Sequence, residues 1–267
     1  MLLYYLTTLA LFSSSLHVCY SVPTSGFFPF GQSSGDSAAS RDDDGSEGPI
    51  AMSVRFQYFG HSYDELYLNN NGGISFQSRV ATYTPDDFPL TSSPPLIVPF
   101  WSDVDNEKGG QIWFRQTTSR SILNQATREI QCFSFAHRSF HADWVFIATW
   151  EDVPFYGASS TGLRKRNTFQ VVLAYDSTKS LSFVILNYAR LEWAAGTASN
   201  GDADTGLGGT QAMAGFDAGD NQNFFAIPGS KTPNALQLTH TSNVRVPGKW
   251  IFRIESDTIM LGEKLLT

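Results

Sequence analysis

Two runs, TFQVVLAY (168–175) and LSFVILNY (181–188), are separated by only five residues, DSTKS. β-Branched and aromatic residues fill both, and such side chains suit a pleated, buried surface. The polar gap is the length of a hairpin loop. A parallel crossover needs about a dozen residues or more. The pair therefore commits the centre of the chain to antiparallel sheet.

Other segments repeat the signal. Val54, Phe56 and Tyr58 alternate along VRFQYF, the period of a half-buried strand. ELYLNNNGGISF (65–76) reads as two strands about a turn, because Asn and Gly tolerate positive φ. LIVPFW (96–101), QIWFR (111–115), WVFIATW (144–150) and KWIFRI (249–254) add strands, and shorter ones are expected near 211–216 and 223–227. One stretch departs from period two. Ile122, Leu123, Ala126, Ile130 and Phe133 recur at helical spacing, and Ser119 or Ser121 stands where a cap belongs. The expected fold is mainly β, an antiparallel β-sandwich with one amphipathic helix near 119–133.

Charge narrows the function. With 18 basic against 25 acidic residues, the chain has no basic footprint for nucleic acid. The apolar run LLYYLTTLALF (2–12), followed by Cys19 and Ser21, reads as a secretory signal cleaved after Ser21. That run is too short to span a bilayer, which takes about 20 residues, and no later segment is long enough. The expected organisation is a signal peptide at 1–21, one domain at 22–256 and a C-terminal tail at 257–267, the whole secreted. Cleavage removes Cys19 and leaves Cys132, expected as a partly buried free thiol beside Ile130. By composition alone, 31–48 looks like a flexible linker rich in Ser, Gly and Asp.

No catalytic set emerges. Gly31-Gln32-Ser33-Ser34-Gly35 fits G-x-S-x-G, but no strand precedes it and no helix follows. His137 and His141 are spaced four apart, without the Glu of a zinc-protease motif or a third ligand. The acidic loops are better candidates. Asp103, Asp105, Asn106 and Glu107 follow a buried strand, Asp202 and Asp204 lie in a long loop, and Asp217, Asp220 and Asn221 come later. Hard oxygen ligands of this kind suit Ca²⁺, with Asp103, Asp105, Asp202 and Asp204 as the candidate ligands. Ordinary turn chemistry, in which Asp and Asn bond their own backbone, is the competing reading. Calcium is the one cofactor considered.

Seven segments, in order, resemble the motifs of the nidogen-like (NIDO) domain family: LYLNNNGGISF, LIVPFWSDVD, GGQIWFRQTTS, WVFIATWEDVPFYG, NTFQVVLAYD, SFVILNYARLEW and GFDAGDNQNFFAIPGS. FFPFG (27–31) and DDDGS (42–46) are similar to the family's opening, which argues against a linker there. The resemblance implies an extracellular domain of cell–matrix adhesion, with matrix or cell-surface proteins as partners and no catalysis. Family members carry further modules beside this domain, whereas this chain ends about ten residues after it. Phe155 and Tyr156 are the candidate partner-binding aromatics. The alternative is a carbohydrate-binding or glycosidase-type sandwich, for which Trp150, Glu151 and Asp152 supply the aromatic and carboxylates.

Overall fold

The computed structural model describes residues 22–133 and 137–259. The expected signal peptide and most of the tail lie outside them. Among the described residues the strands are β1 (Ser37–Ala38), β2 (Ser46–Tyr58), β3 (His61–Asn69), β4 (Gly73–Ser75), β5 (Leu96–Trp101), β6 (Gln111–Thr117), β7 (Trp144–Val153), β8 (Asn167–Asp176), β9 (Leu181–Arg190), β10 (Met213–Asp217), β11 (Phe224–Ala226) and β12 (Lys249–Arg253). They form two antiparallel six-stranded sheets, ordered β1-β6-β7-β8-β9-β12 and β11-β10-β5-β4-β3-β2. The fold is the expected one. β8 and β9 pair as the hairpin predicted, in register from Phe169 opposite Tyr188 to Asp176 opposite Leu181.

The main core lies between the sheets. Period two sends Phe169, Val171, Leu173 and Tyr175 of β8 inward to meet Phe56, Phe76 and Phe100 from the second sheet. Several large aromatics carry polar tips into this core and find acceptors there. The Trp150 Nε1–H donates to the Asn70 carbonyl at 2.9 Å, and the Tyr188 hydroxyl donates to the Pro99 carbonyl at 2.7 Å.

The opposite face of the first sheet is covered too. The helix α1 (Arg120–Phe133) lays Ile122, Ala126 and Ile130 on Val145, Ile147, Val172 and Ile185. Full burial of an Ile side chain stabilises by about 1.5–3 kcal/mol, so this single stripe holds the helix in place. It also explains why every residue of β8 is buried and why the run Val171–Tyr175 is apolar on both faces. Ser119 stands just before the helix and its carbonyl accepts from the Leu123 amide at 2.9 Å. Its hydroxyl pairs with that of Ser121 instead of capping.

One expectation needs correction. Cys132 is exposed, because two residues beyond Ile130 it lies about 200° around the helix from the buried stripe. Residues 31–48 are no linker, in line with the family-like opening there and against their composition. They contain β1 and the start of β2, and the buried Asp36 pairs with Arg115 of β6. The turn after β3 has a steric logic: Gly72 sits at φ +89°, where a Cβ would stand 2.0 Å from the Phe100 carbonyl oxygen.

Candidate functional site

One end of the sandwich gathers acidic residues from two distant segments. Three buried asparagines, Asn69, Asn70 and Asn71, form the turn after β3. Asn70 Nδ2 donates to the Asp42 carbonyl (2.5 Å) and to Asn106 Oδ1 (3.1 Å). Asn106, fully buried, also accepts from the Asp42 amide at 2.8 Å and donates to the Ser40 carbonyl at 3.2 Å. Asn71 reaches both segments, donating to Asp44 Oδ1 at 2.8 Å and accepting from the Val104 amide at 2.9 Å. These amides clamp the 40–44 segment against the loop after β5.

That clamp brings Asp43 and Asp44 to Asp103. One carboxylate oxygen from each lies within 4.8 Å of the other two. The loop is fixed from behind: Val104 bridges Phe155, and the Tyr156 amide donates to the Asp103 carbonyl at 3.0 Å. Asp103 itself is 2% exposed, and its Oδ2 has no hydrogen-bond partner; neither has Asp43 Oδ1. Gly196 closes one wall, since a Cβ there would stand 2.2 Å from Asp103 Oδ2. Burial, and then the charges of Asp43, Asp44 and Asp105, push the Asp103 carboxyl up to about 7. Burial and the neighbouring acids push Asp43 up to about 6. Among the described residues no ion pair reaches any of the three. Arg41 spends Nη1 on the Asn106 carbonyl, and Lys108 pairs with Glu107.

The four aspartates singled out as calcium ligands are thus not brought together. Asp103 joins a cluster. Asp105 lies beside it, its Oδ1 accepting from the Glu107 amide at 3.0 Å. Asp202 and Asp204 are exposed in a loop of their own. Asp202 Oδ1 accepts from the amides of Asp204 (3.1 Å) and Thr205 (2.9 Å), the local turn bonding weighed against a metal role. In the loop at 217–221, Asp220 does the same with the Gln222 and Asn223 amides, whereas the buried Asp217 accepts from Gly219 and from the distant Leu90 amide. Sequence reasoning missed Asp43 and Asp44. Their run was noticed only as a family-like opening.

Phe155 also needs correction as a surface anchor. It is fully buried, its ring 5.5 Å from that of Trp193. Tyr156 points the other way and is 41% exposed. Trp150 is fully buried and offers no sugar platform. A groove of about 700 Å³ runs beside residues 78–94 and Trp101, its lining mostly polar and holding one aromatic. That aromatic, Trp101, is buried and donates Nε1–H to the Thr82 carbonyl. His137 is buried, its ring stacked on Phe133 and edge-on to Phe183.

A two-sheet antiparallel sandwich with one covering helix defines the structural class. The family profile of the nidogen-like domain matches residues 64–256, and the chain belongs to that family. Alpha-tectorin of Mus musculus is 44% identical over 237 residues, 89% of this chain and 11% of that protein. Nidogen of Drosophila melanogaster is 32% identical over 208 residues, 77% of this chain and 15% of that one. Nidogen-2 of Mus musculus is 31% identical over 244 residues, covering 86% and 17%. The chain spans about a tenth to a sixth of the length of these relatives. No solved structure matches it significantly.

Proposed function

We propose that this chain is a non-catalytic, secreted extracellular-matrix module that binds matrix or cell-surface proteins. The observation that carries the reading is the 44% identity to alpha-tectorin across 89% of the chain, within the nidogen-like family. The surface supports it. Tyr83, Tyr156 and Leu207 are among the few large apolar side chains exposed. Their loops are tied together through residues 197–202. The Thr197 amide donates to the Tyr156 carbonyl, Thr84 Oγ1 meets Ser199 Oγ at 2.7 Å, and the Asp202 amide donates to the Leu207 carbonyl. Exposed aromatics beside a rigid scaffold are the usual anchors of a protein interface, where a few residues carry most of the energy. The groove with its single buried Trp101 gives nothing to favour a carbohydrate-binding reading.

The test sets immobilised full chain against matrix extract, a glycan array and a glycosidase panel. Saturable protein binding, weakened at least about tenfold by Tyr156→Ala with the melting temperature unchanged, is expected. Turnover of any glycan, abolished by changing one carboxylate, overturns the reading.

A further inference from the structure

We propose that Asp43, Asp44 and Asp103 form a Ca²⁺ site that fastens the segment before β2 to the loop after β5. Three observations converge on it. The first is spacing. Oxygens on opposite sides of one Ca²⁺ stand roughly 4.8 Å apart, twice its usual Ca–O distance. The three carboxylate oxygens here lie within 4.8 Å of one another. The second is an unspent acceptor. Asp103 is 2% exposed and Oδ2 has no partner, and Asp43 Oδ1 is likewise unpaired. A buried carboxylate without hydrogen bonds or a counter-charge is costly, and proteins resolve it by pairing, protonation or metal binding. The third is that the neighbouring side-chain amides are committed elsewhere. The side-chain amides of Asn70, Asn71 and Asn106 go to backbone carbonyls, to Asp44 and to each other, so they position the acids and leave Asp103 open.

The ligand chemistry selects the ion. All-carboxylate donors with no His or Cys disfavour Zn²⁺ and suit a hard cation. Mg²⁺ dehydrates reluctantly and is rarely held by dedicated protein cages, whereas Ca²⁺ accepts flexible oxygen shells completed by water or carbonyls. Asp43 and Asp103 are sixty positions apart in sequence, so an ion between them is a cross-link.

The experiment strips the full chain with chelator and titrates it with CaCl₂ by calorimetry near neutral pH, alone and against MgCl₂. Melting scans and limited proteolysis follow the same samples. The expected result is one site with an apparent Kd of about 0.1–1 mM, the range of extracellular calcium modules. Calcium should raise the melting temperature by mass action and protect the bonds around 40–46 from protease. Asp103→Asn, nearly isosteric, should abolish the calcium response while melting in chelator no lower than wild type. Should Asp103→Asn fail to fold, Asp43→Asn, on the less buried segment, is required to weaken binding at least about tenfold. Asp202→Asn must leave the response intact. No heat and no melting shift up to about 10 mM Ca²⁺, equal affinity for Mg²⁺, or a response lost in Asp202→Asn but kept in Asp103→Asn each overturns the assignment.

Discussion

Two buried carboxylates sit at or just past the ends of buried strands, and their surroundings differ completely. Asp176, at the end of β8, is 1% exposed and saturated. Its Oδ1 accepts from the Thr178 hydroxyl at 2.6 Å and the Lys179 amide at 3.2 Å; its Oδ2 accepts from the His141 amide at 2.9 Å and from Lys179 Nζ at 3.1 Å. Asp103, past the end of β5, is 2% exposed and has like charges for neighbours. Asp176 completes a hairpin turn; it is part of the structure of the fold. Asp103 keeps one oxygen, Oδ2, that no donor reaches. The difference teaches that burial alone does not distinguish these two acids; the donors that reach one and not the other do.

The largest effect should come from the wall that holds the open site. Phe155 is fully buried, packs on Trp193 and fixes the loop that carries Asp103 through the bridge to Val104. Phe155→Ala should cost about 3–5 kcal/mol in urea unfolding, the usual range for a buried Phe. Because the loss is global, weakened calcium or partner binding in this variant would report on folding alone. A loss under about 1 kcal/mol would show that Phe155 is not the core residue described here.

The same substitution at the two acids should act with opposite sign. Asp176→Asn removes an ion pair and turns some of four donors away, and should destabilise by about 1–3 kcal/mol. Asp103→Asn removes repulsion and, in chelator, should not destabilise. Parallel losses in both variants would break the comparison and make Asp103 an ordinary structural acid. pH sharpens it further. Burial pushes the Asp176 carboxyl upward, but bonds from Thr178, His141 and Lys179 outweigh that and hold it below its ordinary value. The folded state then binds fewer protons than the unfolded one in the acid range. The stability Asp176 confers is full above the ordinary carboxylate pKa, about 3.9, and is lost as pH falls through the lower folded value. Wild type should therefore lose stability more steeply than Asp176→Asn on acidification below about pH 4.

Sequence and structure agree best where physics is local. The alternation in VRFQYF, the hairpin pair at 168–188 and the stripe Ile122, Ala126, Ile130 are each read within a dozen or so residues, and each appears as expected. The pairing of strands into two sheets is not local. Neither is the site. Asp103 stood out because it follows a buried strand, but its partners Asp43 and Asp44 lie in a Ser-, Gly- and Asp-rich stretch whose composition reads as linker. Asn69 to Asn71 announced a turn; nothing in their sequence announced that their amides would clamp a segment almost thirty residues earlier. Phe155 and Tyr156 show the same limit on a smaller scale. Adjacent residues in extended chain face opposite ways, and only the fold decides which way is in.

The smallest effect is expected at a third aspartate. Asp202 makes much the same turn bonds as Asp176, accepting from the Asp204 and Thr205 amides and the Thr205 hydroxyl, but it does so in water. Those bonds, led by the Thr205 hydroxyl, hold its carboxyl below the ordinary value, as at Asp176. Water, however, can replace each lost bond once the side chain changes, and solvent screens the charge. Asp202→Asn should therefore melt with wild type, in chelator and in calcium alike. It separates the two variables in the comparison, since Asp202 shares the bonding of Asp176 and lacks its burial. A melting temperature lowered as far as in Asp176→Asn would mean that turn bonding alone sets the worth of these acids. The contrast between Asp176 and Asp103 would then rest on hydrogen bonds and not on burial.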